Sequence, residues 1–326
     1  MSLKIAHWTM FNNSGMFRMA ESFAKAECAL GLQSYLVNYQ DPEGYEEILD
    51  ADIHVVHTHL PDDVRQQLTR PLKLVWMGHG TPEYVFLKSV IDSSRGYGVS
   101  DSWQLIQYWM QQADALVTFW PRHQRIWKSL CDKRTIVDCI PMGVEKDFWQ
   151  PVQSLGKYLG SPSVFTAENC DFSKWPLDLM ITWPWVCEEL PVAHLHCVYL
   201  PNDQHRWFFP LMNRNGAGFK TIAAGIIMDK VTLRNAFCST DYFISLVRYG
   251  DFNRLSLEAN ATGAKIISYA GNEYADYWIQ EGDQRGMAKS LVSILKGEIN
   301  PRKKKLETPD ISETAKAMFK IYERIM

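Results

Sequence analysis

The stretch FISLVRYGDFNRLSLEANATGAKIIS, residues 243–268, decides how the rest of the chain is read. A short apolar strand over residues 242–246 leads into a polar, glycine-bearing turn at 248–253. A helix over 254–261 follows, Gly263 stops it, and a β-rich run resumes at 265–269. The apolar spacing changes from strand to helix and back, which makes a strand–loop–helix–strand unit. In a parallel α/β sheet that loop sits at the carboxyl end of its strand, where open sheets bind ligands. Glu258 lies on the helix between Leu257 and Ala259, which pack against the sheet. A carboxylate held there accepts hydrogen bonds from paired hydroxyls.

The same alternation runs outward through the whole chain. Residues 3–8 read as a strand and Asn12-Asn13-Ser14-Gly15 as a turn. Phe17, Ala20, Phe23, Ala24 and Cys28 recur at helical spacing over 16–30, with Gly31 at the C-cap position and a strand at 34–37. Gly15 stands at the helix mouth, where backbone N–H groups can face a phosphate. The loop lacks the GxGxxG spacing of dinucleotide binders, so taken alone it reads as a turn before a helix. Residues 53–59 form a buried strand ending in His57-Thr58-His59, and 72–77 another with Gly78-His79-Gly80 at its carboxyl end. Further elements at 103–112, 115–119, 123–130 and 136–139 lead to IPMGVEKDFWQP at 140–151. Residues 152–163, rich in Gly, Ser and Pro, read as a linker. The second half has strands at 164–167, 194–200 and 222–228, with helices at 177–187 and 231–237. An amphipathic helix over 311–326 carries Ala315, Met318, Ile321 and Tyr322 on one face. Strands separated by helices in both halves predict an α/β protein of two doubly wound Rossmann-like domains, 1–151 and 163–305, facing a central cleft.

Composition limits the classes further. The 326 residues suit two domains of about 150 residues. A net charge of −3 gives no global basic field for nucleic acid. Seven cysteines without CxxC spacing argue against a disulfide framework and a zinc site. There is no signal-peptide core at the start and no apolar run of the ~20 residues a transmembrane segment needs, so a cytoplasmic protein is expected. His57 and His59 share a strand face, but no third ligand with supporting spacing accompanies them. Trp8, Trp120, Trp149 and Trp175 follow strands, where an indole face could stack on a sugar ring, although most tryptophans are simply core or domain-interface packing. Arg302-Lys303-Lys304-Lys305 reads as a solvated linker, with an anionic acceptor or a membrane surface as alternatives.

Residues 243–268 resemble the signature of the retaining glycosyltransferases of family 4 and their GT-B relatives, Ser-x-x-Glu-Gly-Phe-Gly-x-x-x-Leu-Glu-Ala followed by Gly and an apolar strand. Ser245, Phe252, Leu257, Glu258, Ala259 and Gly263 fall in place, while Gly250 stands where the first family glutamate belongs, with Asp251 beside it. The family's Ile-Pro-Asn-Gly-Val-Asp near its domain junction is met by Pro141, Gly143 and Val144, with Met142 and Glu145 differing. The resemblance implies a GT-B fold whose last helix, 311–326, packs back on the first domain. It implies a UDP- or GDP-linked sugar as donor substrate, transfer to a hydroxyl acceptor (a glycan, lipid-linked or other) with retention, no cofactor and no essential metal. A nucleic-acid acceptor is an alternative the overall charge does not favour. So is a non-catalytic nucleotide-sugar-binding protein.

The resemblance also assigns residues. Sugar transfer develops positive charge at the anomeric carbon and negative charge on the departing diphosphate, which calls for fixed cations and polar groups there. Lys174 matches the family lysine that grips the diphosphate; Glu168 stands in place of its partner arginine and would repel it. Arg248 and Arg254 flank the loop and are the natural substitutes, Arg248 the better placed. Glu258 matches the ribose-binding glutamate. Asp251, or the backbone of Gly250, Phe252 and Asn253, takes over the sugar contacts of the missing one. His79 matches a first-domain histidine that contacts the donor sugar, and Gly15 a glycine near the donor phosphates.

Overall fold

In the computed structural model, which describes residues 3–9, 15–38, 48–57, 66–67, 73–81, 110–153, 156, 158, 160–167, 177–198, 221–224, 229–247 and 254–326, the strands form two six-stranded sheets. All their pairings are parallel. The chain divides into two units, Met1–Glu145 with Pro309–Met326, and Lys146–Thr308.

The first unit holds β1 (Lys4–Thr9), α1 (Gly15–Ala29), β2 (Gln33–Asn38), β3 (Ile53–Val56), β4 (Leu74–Met77), β5 (Ala115–Thr118), α2 (Pro121–Leu130) and β6 (Ile136–Cys139). Its sheet order is β2-β1-β3-β4-β5-β6. Successive side chains point to opposite faces of a strand, and here both faces are covered, as parallel sheets require. Ile5, Val55, Val75, Met77 and Val117 join one core with Phe23 of α1. Ala6, Trp8, Val56, Trp76 and Leu116 join another with Trp127 of α2. Helix α1 departs from its expected face. Met19, Ala20, Phe23, Ala24 and Glu27 are buried, while Cys28 is exposed. At 3.6 residues per turn, a stripe through Ala20 and Phe23 continues to Glu27 rather than Cys28. Gly31, with φ 87°, ends the helix.

The second unit holds β7 (Ser163–Thr166), α3 (Leu177–Glu189), β8 (His194–Val198), β9 (Thr221–Ala224), α4 (Lys230–Ser239), β10 (Tyr242–Ser245), α5 (Arg254–Ala261), β11 (Ile266–Tyr269), β12 (Tyr277–Ile279) and α6 (Gln284–Leu295). Its order, β12-β11-β10-β7-β8-β9, is the 3-2-1-4-5-6 Rossmann arrangement read from the other edge. The sequence pattern assigns no element between 269 and 311, yet β12 and α6 lie there. β12 has three residues, too few to show a period of two. Helix α6 buries Met287, Ala288, Leu291, Val292, Ile294 and Leu295 and is capped by Asp283, which accepts from the Gly286 N–H.

The last helix, α7 (Ile311–Ile325), belongs to the first unit. Asp310 and Glu313 form a capping box at its start. Its buried Met318, Ile321, Tyr322 and Ile325 complete the core that holds Phe23. Gly143 receives it closely: the Thr314 hydroxyl accepts from the Gly143 N–H at 2.8 Å, and a Cβ at Gly143 would lie 2.6 Å from the Asp310 carbonyl carbon. Among the described residues no helix is long and apolar enough to cross a membrane.

Candidate functional site

Each sheet has a point where the strand order reverses, and in open α/β sheets ligands bind outside the carboxyl ends of the strands there. In the second unit this point lies between β7 and β10. Lys174, with Glu168, follows β7, and Arg248, Gly250, Asp251, Phe252 and Asn253 follow β10; all of them, and Trp175, lie outside the described residues. What is described is the helix that these loops feed. The start of α5 is tied to the sheet by a run of small polar side chains. The Ser268 hydroxyl donates to the Ser245 carbonyl at 2.7 Å. The Asn272 amide donates to Ser268 Oγ at 3.2 Å and to Ser256 Oγ at 3.3 Å. Ser256, Leu257, Glu258 and Ala259 are buried on α5. Glu258, 6% exposed, forms an ion pair through Oε1 with Arg254 Nε at 2.9 Å. Two residues expected to serve separate tasks are thus paired one helical turn apart.

In the first unit the reversal lies between β1 and β3. Gly15, exposed, is the first residue of α1, and a Cβ there would meet no described atom within 4 Å. His79 follows β4 and is half-buried. Its turn is fixed from both sides. A Cβ at Gly78 would lie 3.2 Å from Leu116 and 3.3 Å from Thr118 and Trp127, so only glycine fits without displacement. The Trp127 indole donates to the Gly80 carbonyl at 2.9 Å.

Behind His79 lies a chain of polar side chains that the sequence reading did not assemble. His79 Nε2 is 3.2 Å from His57 Nδ1, and His57 Nε2 is 3.0 Å from His7 Nδ1. His7 Nε2 is 2.8 Å from Glu27 Oε2. Glu27 also accepts from the Ser34 hydroxyl at 2.7 Å and from the Tyr322 hydroxyl at 2.7 Å. His7, His57, Glu27 and Tyr322 are buried. Phe23 packs on the His7 and His57 rings, and Phe119 on His79. Burial alone would raise the Glu27 carboxyl, but the His7 ring and the bonds from His7, Ser34 and Tyr322 outweigh it and hold the group below its ordinary value. Burial, then the His7 and His79 rings, pushes His57 well below the usual histidine range. Burial, then Glu27, pushes Tyr322 well up. The ring nitrogens face one another rather than a common point, and among the described residues no group of three His, Cys, Asp or Glu is placed to hold a metal. His59 lies outside the described residues.

Other expected features prove structural. Trp8 and Trp149 are fully buried; Trp8 lies within β1 and donates to His54 Nδ1 at 3.0 Å. Trp120 is half-buried against a core cluster. Arg302 stacks over Trp278 at 3.6 Å and pairs with Glu273, and Lys305 pairs with Asp276, so two of the four basic residues anchor the segment before α7.

Solved structures similar to this one include sucrose-phosphate synthase from Thermosynechococcus elongatus, with a TM-score of 0.71 and 14% identity over 99% of this chain and 96% of that one. HepE of Anabaena, in complex with UDP and glucose, matches with a TM-score of 0.66 and 13% identity over 99% and 98%. The α,α-trehalose 6-phosphate synthase of Burkholderia multivorans matches with a TM-score of 0.63 and 13% identity over 100% and 95%. No protein-family model and no curated protein sequence matches the chain. At this identity the likeness establishes the fold: two parallel-sheet Rossmann-like units of the GT-B class.

Proposed function

We propose that the chain is a glycosyltransferase that moves a sugar from a nucleotide diphosphate, UDP- or GDP-linked, to an acceptor hydroxyl with retention of configuration. The observation that carries this reading is the buried carboxylate of Glu258, ion-paired with Arg254, on the helix that follows β10 at the second unit's reversal point. A carboxylate on that helix can accept from the two neighbouring hydroxyls of a ribose. The likeness to HepE, whose structure holds UDP and glucose, supports the same donor class.

In the proposed reaction, the bond from the anomeric carbon to the diphosphate breaks as the acceptor oxygen bonds on the same face, and the acceptor's hydroxyl proton passes to the departing diphosphate. Positive charge spreads over the sugar ring while negative charge gathers on the leaving group. Lys174 offsets the latter. Arg254 pairs with Glu258, so Arg248 is assigned to replace the cation lost at Glu168. Asp251 and His79 are assigned to hydroxyls of the sugar, the backbone of Gly250, Phe252 and Asn253 to the same group, and Gly15 to the phosphates. The step is assigned no essential metal, so chelation should leave turnover unchanged.

A thermal-shift screen of nucleotides and nucleotide sugars tests the binding half, because a ligand of the folded state raises the melting temperature. Donor hydrolysis without acceptor then tests the chemistry, and Lys174→Ala is expected to abolish it while leaving the melting temperature of the free protein unchanged. Near-normal hydrolysis in that variant removes Lys174 from the mechanism. Binding without hydrolysis in the wild type would favour a non-catalytic nucleotide-sugar-binding protein, the reading that Glu168 and Gly250 favour.

A further inference from the structure

We propose that the outward face of α2, with the turn that follows it, docks on an anionic lipid surface. The helix is seated by His123 and Trp127, both buried. Trp127 meets Trp76 edge-on, with ring centres 4.9 Å apart, and its indole N–H donates to the Gly80 carbonyl. Arg125 stands two positions from each of the seated pair, and at 3.6 residues per turn it points directly away from them. Arg122 and Lys128 flank it about one turn to either side, and Lys133 and Arg134 follow in the turn; all five are exposed. The charged face is therefore held in place before any partner arrives.

Two observations set this face apart from an ordinary solvated one. The first is that its charge has one sign. Helix α2 contains no Asp or Glu, and Asp132, the one acid in the turn, accepts from the Arg134 backbone N–H at 3.0 Å. Elsewhere in the same unit Lys4, Lys25, Lys73 and Arg324 each face a carboxylate. The exposed face of α7 mixes signs, with Glu313, Lys316, Lys320 and Glu323. Among the described residues no acidic side chain pairs with Arg125, Lys128, Lys133 or Arg134. The second is Leu130, the last residue of α2, which is 42% exposed amid these cations.

Charge together with one apolar contact selects lipid over other polyanions. At a bilayer surface the cations meet headgroup phosphates and carboxylates while the leucine enters the boundary with the acyl chains. A nucleic acid offers phosphates but leaves Leu130 in water. The aromatic residues of 121–134, His123 and Trp127, face inward, so no ring is offered for a base to stack on. The face is small, so the attachment it supplies is weak and reversible.

Cosedimentation of the full chain with vesicles is the test. Phosphatidylcholine vesicles carrying about 30% phosphatidylserine should pull the chain down at about 0.1 M salt and release it at about 0.5 M, where screening shortens the reach of each charge. Vesicles of phosphatidylcholine alone should not bind it. Arg125→Gln and Lys128→Gln should each lower the partition coefficient about fivefold. Lys316→Gln combined with Lys320→Gln removes as much charge from α7, which packs on the opposite face of the sheet, and should change it less than about twofold. Leu130→Ser should weaken vesicle binding about fivefold while leaving the salt that elutes the chain from heparin unchanged. No binding to the anionic vesicles at the lower salt would overturn the proposal. So would an equal loss from the α7 pair, or an effect of Leu130→Ser shared by both surfaces or by neither. Capture by duplex DNA without capture by the anionic vesicles would do the same and assign the face to nucleic acid. None of these measurements needs a sugar donor, so their outcome is independent of the proposed function.

Discussion

Replacing His54 by glutamine should remove a large part of the protein's acid sensitivity. His54 is buried on β3, with Nδ1 accepting from the Trp8 indole N–H at 3.0 Å. Burial pushes its pKa down from 6.5 to about 4, against smaller opposing contributions from the Ala51 backbone and Asp50. Above pH 6.5 the ring is neutral both folded and unfolded, so pH has no effect through this group. Between 6.5 and 4 the unfolded chain takes up a proton that the folded chain refuses, and stability falls as pH falls. Below about 4 both states are protonated and the loss is complete. At about 1.4 kcal/mol per pH unit, the loss over this window is about 3 kcal/mol. His57, also depressed, adds its own loss in the same direction, so wild type alone does not isolate His54. Glutamine keeps an oxygen that can accept from Trp8 and does not titrate. Urea unfolding followed by circular dichroism at pH 7.5, 6, 5 and 4.5 gives the difference between the two proteins. The variant is expected to lose about 2–3 kcal/mol less than wild type over that range. Parallel stability-against-pH curves would show that His54 is not protected from protons in the folded state.

Gly143→Ala drives a methyl group into the Asp310 backbone at the start of α7 and should cost about 1–3 kcal/mol, read as a lower urea midpoint. Tyr322→Phe deletes one donor to the buried Glu27 carboxylate, with an expected loss of about 1.5–3 kcal/mol in the same assay. Glu258→Gln is expected to weaken nucleotide binding about tenfold by calorimetry and, because it leaves the buried Arg254 guanidinium without its partner charge, to lower unliganded stability by about 3–5 kcal/mol.

The alternation of strand and helix was legible because both sheets are parallel and covered on both faces, so each strand reads as a short apolar run. The unit over 243–268 therefore appears with nearly the boundaries expected of it. The row behind His79 was not legible, because its members are scattered through the chain and Tyr322 stands 295 positions from Glu27. Each had a bland local reading: His7 inside a strand, Tyr322 on an amphipathic face, Glu27 beside a cysteine that took its place in the stripe. One signal was present. A glutamate four residues after Phe23 must point into the core and needs donors there. The Arg254–Glu258 spacing was equally visible as an i,i+4 pair, but assigning each residue to a ligand hid their mutual contact. Trp8 and Trp149 took the core role open to most tryptophans, which sequence alone does not separate from stacking because indole suits a core as well as a sugar ring.

The first unit is assembled from two stretches of chain with the whole of Lys146–Thr308 between them. On the ribosome, the segment bearing Glu27 emerges early and waits with its carboxylate unsealed while the intervening unit is synthesised. Domains usually mature in the order in which they are made, but here the middle one can finish first. The earliest-made half therefore depends longest on chaperones, and a nascent chain stalled before Pro309 would hold one native body and one still open to proteases.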